Sequence, residues 1–247
     1  MQRYYTAMIK KALAIAFLLA LWKACALALQ VNILPPPKSV AVSCWNNMGL
    51  ISLHTAFSML RLFGGIAAAI LAGAPIGILF GYFRKLDDVV SPLIYLLAPM
   101  PKIAFLPLIM LFFGINDPAK VFIVFIVMVF LVIITLRDAV KKIPEELYFP
   151  FLAAKKGPVF IITNIVIPAA APEVFTAIRL GLATGISVLF IAETFGTVRG
   201  LGFYIMDMWM RVDYPAMYSG IIMMGVMGYL CAVIVDFLQA RLCPWKR

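Results

Sequence analysis

Lys102, Arg179 and Glu193 stand inside long apolar runs, where a charged side chain could act on a passing solute. A charge in a lipid-crossing segment is expensive, so it usually faces a protein interior, a water-filled route or a partner charge. Arg179 and Glu193 share the stretch IPAAAPEVFTAIRLGLATGISVLFIAETFGTVRGLGFYI (167–205), which opens on a proline-punctuated turn and closes glycine-rich. They lie fourteen residues apart, about 21 Å along a helix, so they cannot pair within it. Arg179 therefore reads in two ways: it meets an anionic solute, or it pairs with a carboxylate on a neighbouring helix, the commoner arrangement. Lys102 lies among Pro92, Pro99, Pro101 and Pro107. Each proline removes a backbone donor, so a helix through them bends or breaks. A broken helix carrying a charge suits a transport route. A kinked packing helix with Lys102 reaching for the membrane surface suits the same residues.

Enzymatic chemistry finds little support. His54 is the only histidine, with no nucleophile or carboxylate near it in sequence, and reads as a membrane-surface residue rather than a general base. Cys25, Cys44, Cys231 and Cys243 form no CxxC or Cys/His cluster, so neither a metal site nor a disulfide framework is indicated. No HExxH, paired aspartates or Ser/His arrangement occurs in the apolar runs, which argues against an intramembrane enzyme. The chain also lacks a GxxxxGK[ST] phosphate loop, so ATP hydrolysis through that motif would have to come from another chain. No catalytic residue, metal or cofactor is expected.

The elements that position these residues must be membrane helices. The 247 residues are 64% hydrophobic and 13% charged, with mean hydropathy +1.04, whereas soluble domains carry roughly 25% charged residues. That apolar surplus exceeds what one core can bury, so the solvent is largely the lipid bilayer. Crossing a bilayer takes about 20 apolar residues, and the runs 12–29, 62–83, 92–113, 119–136, 172–195 and 215–238 qualify. They are too long and continuous for the strands of a lipid-facing barrel. The expected fold is an all-α membrane protein of about six transmembrane helices, one domain over 1–247 with its core roughly at 54–238. The start at residue 62 is the softest boundary, because 54–60 can extend that helix outward.

Orientation follows from the basic residues. With the N-terminus inside, thirteen Lys and Arg fall on the cytoplasmic side, while Lys38, Arg61, Lys120, Arg199 and Arg211 fall in the opposite loops. Both termini are then cytoplasmic, and the net charge of +10 forms a collar that meets anionic headgroups. Because the charge is scattered over loops, nucleic acid is not expected as a partner. Lys10-Lys11, an apolar run and Ala26-Leu27-Ala28 also have the outline of a cleaved signal peptide, but the length of the run and Lys23 within it favour retention.

Two further patterns concern packing and docking. Gly65, Ala69, Gly73, Gly77 and Gly81 place a small residue at every fourth position, which lets another helix backbone approach closely. The longest cytoplasmic connection, roughly 138–171, contains Leu152, Ala153, Ala154, Lys155, Lys156, Gly157 and Pro158, a small apolar face beside two lysines. A short helix of this kind fits a groove on a partner protein, or lies on lipid as an amphipathic surface helix.

Ordered motifs along nearly the whole chain carry a resemblance. They are HTAFSMLRLFG (54–64), GAPIG (73–77), PMPKIAFLP (99–107), IPAAAPE (167–173), IRLGLA (178–183), Ala192-Glu193, GLGF (200–203) and the ending LCPWK (242–246). Together they resemble the inner-membrane permease subunits of bacterial ABC importers, and more narrowly the nitrate/sulfonate/taurine/bicarbonate branch. The resemblance implies a type I importer bundle with a cytoplasmic coupling helix at 152–158. It implies a separate cytoplasmic ABC ATPase, an extracytoplasmic solute-binding protein and a second permease chain, as a homodimer, working by alternating access in the bacterial inner membrane. The family loop reads E-A-A, three residues, then Gly, with a Pro thirteen positions later. Counting back from Pro168 puts Lys155 at the Gly position and Phe149 at the Glu position, while the nearest glycine is Gly157 and the nearest acids are Glu145 and Glu146. An ion-coupled secondary transporter is the alternative, but the spans hold no mid-membrane acidic pair for ion coupling.

Overall fold

The structure is a computed structural model that describes residues 2–29 and 31–246. The side chains of Arg3, Lys11 and Lys246, and Arg247 as a whole, counted above in the basic collar, lie outside the described residues. The described residues are helical without a strand: α1 (Gln2–Leu29), α2 (Pro37–Asn46), α3 (Met48–Tyr82), α4 (Arg84–Leu97), α5 (Leu106–Phe113), α6 (Asp117–Lys141), α7 (Phe149–Ala153), α8 (Pro158–Ile161), α9 (Ile167–Glu193), α10 (Leu201–Met210) and α11 (Tyr214–Leu242). In lipid every backbone polar group must be satisfied within the segment, and long apolar runs therefore become helices.

Among the described residues, four helices are long and apolar enough to cross a membrane: Met48–Tyr82, Asp117–Lys141, Pro158–Glu193 and Tyr214–Leu242. Arg84–Leu97 and Lys102–Phe113 form a fifth, bent by 82°. The expected break is located at Pro99-Met100-Pro101, between α4 and the 3-10 turn Lys102–Phe105. Leu13–Leu29 of α1 is a shorter apolar helix, and a count of six spans depends on it. It rests on the bundle through Trp22, whose ring stacks on Tyr218 at 5.8 Å, and through buried Ala26.

Three spans start earlier than expected, at Met48, Arg84 and Pro158 instead of residues 62, 92 and 172. The second span starts at Met48 rather than residue 62, so Arg61 lies inside α3 and is buried. Lys120, also assigned to an outer loop, is fully buried in the first turn of α6, where its ammonium donates to the carbonyl of Ile115 at 2.5 Å. The Pro158–Glu193 helix runs on through a π turn at Ile162–Val166. Ile167-Pro168 is therefore inside a helix, not at a turn. Proline has no amide to give and its ring crowds the carbonyl four residues back; one widened turn relieves both. Residues 142–157 are what remains as connection.

The small-residue ladder seats α6 against α3. A methyl on Gly65 would come 2.5 Å from Val124, on Gly77 2.7 Å from the carbonyl of Ile133, and on Gly81 2.6 Å from Val140. Gly181 gives the same clearance to Met128 of α6 from the α9 side. Ile51, Leu62, Ala69, Val124, Met128, Leu182, Leu189 and Tyr204 form the main core between these helices.

Candidate functional site

Glu193, the last residue of α9, is fully buried, and three groups donate to its carboxylate. Nη1 of Arg61 donates to Oε1 at 2.7 Å, Oγ of Ser58 to the carboxylate at 2.8 Å, and the amide of Gly202 to Oε2 at 2.9 Å. Arg61 also donates through Nε and Nη2 to Asp117 Oδ1, at 2.9 and 2.6 Å, and through Nη1 to the carbonyl of Arg199 at 2.8 Å. Ser58 Oγ accepts from the amide of Leu201 at 2.8 Å, and Nδ1 of His54 accepts from the amide of Gly200 at 3.1 Å. His54, Ser58 and Arg61 share one face of α3 because helix neighbours recur at three and four residues.

The segment 200–202 is thus stapled to α3 and α9 by its own amides. Gly200 makes this possible: its φ is +114°, and an added methyl would stand 2.4 Å from the Glu193 carboxyl carbon. His54, expected as a membrane-surface residue, is buried inside the protein, and it works as an acceptor. The 54/58/61 spacing was a usable sequence signal, but their partners, Glu193 and the 200–202 amides, lie far along the chain.

Arg179 has a different setting. It is 43% exposed and donates from Nη2 to Asp236 of α11 at 2.5 Å and to Gln239 at 2.7 Å. This is an interhelical pair on an open face. Arg179, Ala183, Thr184 and Ser187 are all exposed and, at 100° per residue, fall on one side of α9, together with exposed Leu180 and Ile191. The opposite side buries Gly181, Leu182, Gly185 and Leu189. Elsewhere the exposed helix faces carry large apolar side chains, among them Leu71 of α3, Leu111 and Phe112 of α5 and Tyr229 of α11.

Lys102 stands at the bend. Its ammonium donates to the carbonyls of Leu97 (3.1 Å) and Ala98, and lies 5.3 Å from the centre of the Phe130 ring. It thus supplies the donors that the helix end before Pro99 and Pro101 lacks.

Residues 149–158 project from the other end of the bundle. The five-residue α7 is followed by a turn and by Pro158, with Phe149, Leu152 and Val159 all exposed. Ala153, Ala154, Lys156, Gly157 and Pro158 are exposed as well. Lys155 has φ +52°, a left-handed conformation that glycine adopts at least cost. This is the position at which the register counted back from Pro168 leads to the expectation of a glycine. Behind the turn, the Tyr148 ring lies 6.5 Å from that of Tyr82, and burial, with Tyr82 beside it, pushes its hydroxyl pKa above the ordinary range.

The family described as binding-protein-dependent transport system inner membrane component matches residues 49–247. The taurine transport system permease protein TauC of Escherichia coli (strain K12) is 28% identical over 240 residues, covering 94% of this chain and 87% of that one. The nitrate import permease protein NrtB of Synechocystis sp. is 25% identical over 252 residues, covering 98% and 91%. The bicarbonate transport system permease protein CmpB of Synechococcus elongatus is 27% identical over 187 residues, covering 75% and 67%. Among solved structures, a chain of the MetNI methionine ABC transporter in an inward-facing conformation superposes with a TM-score of 0.68 at 19% identity, covering 82% of this chain and 98% of that one. The α1–α2 segment precedes the family match.

Proposed function

The chain belongs to the binding-protein-dependent transport system inner membrane component family, and we propose that it forms the translocation pathway of an ABC importer for a small anionic or zwitterionic solute. Taurine, nitrate and bicarbonate, named for its relatives, set that chemical class. Two copies pair across the exposed face of α9. The reading rests on one observation: on that face Arg179, Ala183, Thr184 and Ser187 stand together, broken only by Leu180 and Ile191, where other exposed helix faces carry mostly large apolar residues. Small and hydroxylated side chains gain nothing from lipid, but they suit a water-filled route.

Six spans, with α1 as the first, place both termini and residues 142–157 in the cytoplasm. The exposed turn from Leu152 through Pro158 docks a separate ATPase, and the Glu193 end faces the solute-binding protein. In the cycle, ATP binding draws the paired ATPases together, the docking turns follow, and the bundle reorients. Ligands need only bias two packings of similar energy, so this chain requires no catalytic group. Lys102 holds the bend, Glu193 holds the 200–202 segment, and Arg179 stands on the route.

Replacing Leu152 by Glu tests the docking assignment. Co-purification of the ATPase with the full chain should be lost while the bundle remains folded. Unchanged co-purification would remove these residues from the dock.

A further inference from the structure

α4 is a helix with an unusual attachment. It has breaks at both ends: Phe83, extended at φ −98° and ψ 95°, separates it from α3, and the Pro99–Pro101 bend separates it from α5. Its buried residues are Asp87 and Ile94, while Leu86, Val89, Leu93, Tyr95 and Leu96 are exposed. Ile94 and the half-buried Val90 are the residues of this helix that join the main apolar core.

The polar attachment is far more elaborate. Asp87 receives Nε and Nη2 of Arg137 on α6, the second at 2.9 Å, together with the ammonium of Lys141 and, at 2.8 Å, the hydroxyl of Ser91. Arg137 is itself buried and donates also to Ser91, to the Tyr95 hydroxyl at 3.2 Å and to Asp138 at 3.2 Å. The guanidinium lies 5.6 Å from the centre of the Tyr95 ring. One buried fork on α6 therefore grips three side chains of α4, Asp87, Ser91 and Tyr95, over slightly more than two helical turns.

The grip stands directly behind the docking segment. A cavity of about 580 Å³ opens between them, lined by Tyr82, Asp87, Lys141, Glu145, Tyr148 and Leu152 among others. Arg84 of α4 reaches Glu145 of the docking segment at 3.6 Å, an exposed pair too screened to bind the two firmly. Open space separates the segment from α4, so it can close without disturbing the packed core, and Asp87 and Lys141 line the wall on which it would press.

Resting on the permease reading, we propose that Asp87 and Arg137 are positioning residues for transport: they form the pivot on which α4 swings against α6 when the docking segment moves. A helix held by a directional ionic fork and few apolar contacts can rotate about the fork, whereas one seated in a close-packed core cannot. The swing is delivered to the Lys102 bend at the other end of the rod.

The test uses the full chain assembled with its ATPase and binding protein in proteoliposomes, with taurine, nitrate and bicarbonate as probes. Asp87→Asn should assemble and hydrolyse ATP yet move about tenfold less solute per ATP, a change of about 1.4 kcal/mol, and Asp87→Glu should recover most of it. Wild-type solute per ATP in assembled Asp87→Asn would overturn the proposal. Should Asp87→Asn fail to assemble, the wild-type bundle decides, with spin labels at Leu96→Cys and Tyr229→Cys in a background lacking the four native cysteines. Their separation should shift between nucleotide-free and ATP-bound states; an unchanged separation means a rigid bundle and overturns the pivot. If the wild type shows no ATP-driven uptake of any probe, the permease reading itself fails, which is a separate result.

Discussion

Arg61 and Glu193 meet at 2.7 Å inside the protein although 132 residues separate them in sequence. Arg61 is 3% exposed and Glu193 not at all, so neither charge has water to fall back on. Their contact fixes the N-terminal half of α3 to the C-terminal end of α9, and the amides of 200–202 close over it. Breaking a buried pair costs about 3–5 kcal/mol, and without Glu193 the buried Arg61 keeps only Asp117, itself half exposed, as counter-charge. Glu193→Ala should lower thermal stability in detergent by that order, and Glu193→Gln should lose less because the amide still accepts from Ser58 or Gly202. Melting at the wild-type temperature for both would show the cluster to be dispensable.

Gly200→Ala should be nearly as damaging as the loss of Glu193. The new methyl meets the Glu193 carboxyl and the Arg61 guanidinium at 2.4 and 2.6 Å, at a φ of +114°. Strain of this kind is worth about 1–3 kcal/mol, to which displacement of the ion pair adds. Gly225→Ala is the matched control, since nothing lies within 4 Å of its added methyl. Thermal melts of the two variants should diverge clearly, and parallel melts would contradict the packing described.

Lys155→Gly should stabilise the chain. A non-glycine residue in the left-handed region loses about 1–2 kcal/mol, and Lys155 sits there at φ +52° while exposed. Glycine relieves the strain but brings extra unfolded-state freedom of about 0.5–1 kcal/mol, leaving a gain of about 0.5–1 kcal/mol. A thermal melt checks the sign, and a destabilised Lys155→Gly would contradict the turn geometry.

Arg179→Gln separates route from scaffold. Its partner Asp236 is 61% exposed, and pairs in such surroundings contribute about 1 kcal/mol or less, so folding should survive. Uptake should fall about tenfold or more, equivalent to about 1.4 kcal/mol of lost stabilisation. Full uptake by folded Arg179→Gln would take this residue off the route.

The local features of this fold were readable in the sequence, and the distant ones were not. The Gly65–Gly81 ladder and the proline-broken helix at Lys102 are written in consecutive residues, so spacing alone announces them. Span boundaries misled where polar residues extend a helix: Arg61 read as a loop charge because Glu193 and Asp117 lie far along the chain, and Lys120 because its partners are local backbone carbonyls that no residue type announces. Asp236, the partner of Arg179, could only be guessed at as some carboxylate on a neighbouring helix. Pro168 read as punctuation because one π turn that absorbs a proline leaves no mark in composition. Lys155 is the instructive case: it stands at φ +52°, a conformation that glycine adopts at least cost and that a lysine in the sequence does not announce.

The most direct test is solute accumulation in proteoliposomes that contain this chain, its ATPase and its binding protein, with ATP supplied on the ATPase side. Taurine, nitrate and bicarbonate serve as probes. Accumulation of one of them that requires all three components, stops when ATP hydrolysis is blocked and ignores an imposed proton or sodium gradient is the predicted result. Accumulation driven by an ion gradient in vesicles holding this chain alone would contradict the account.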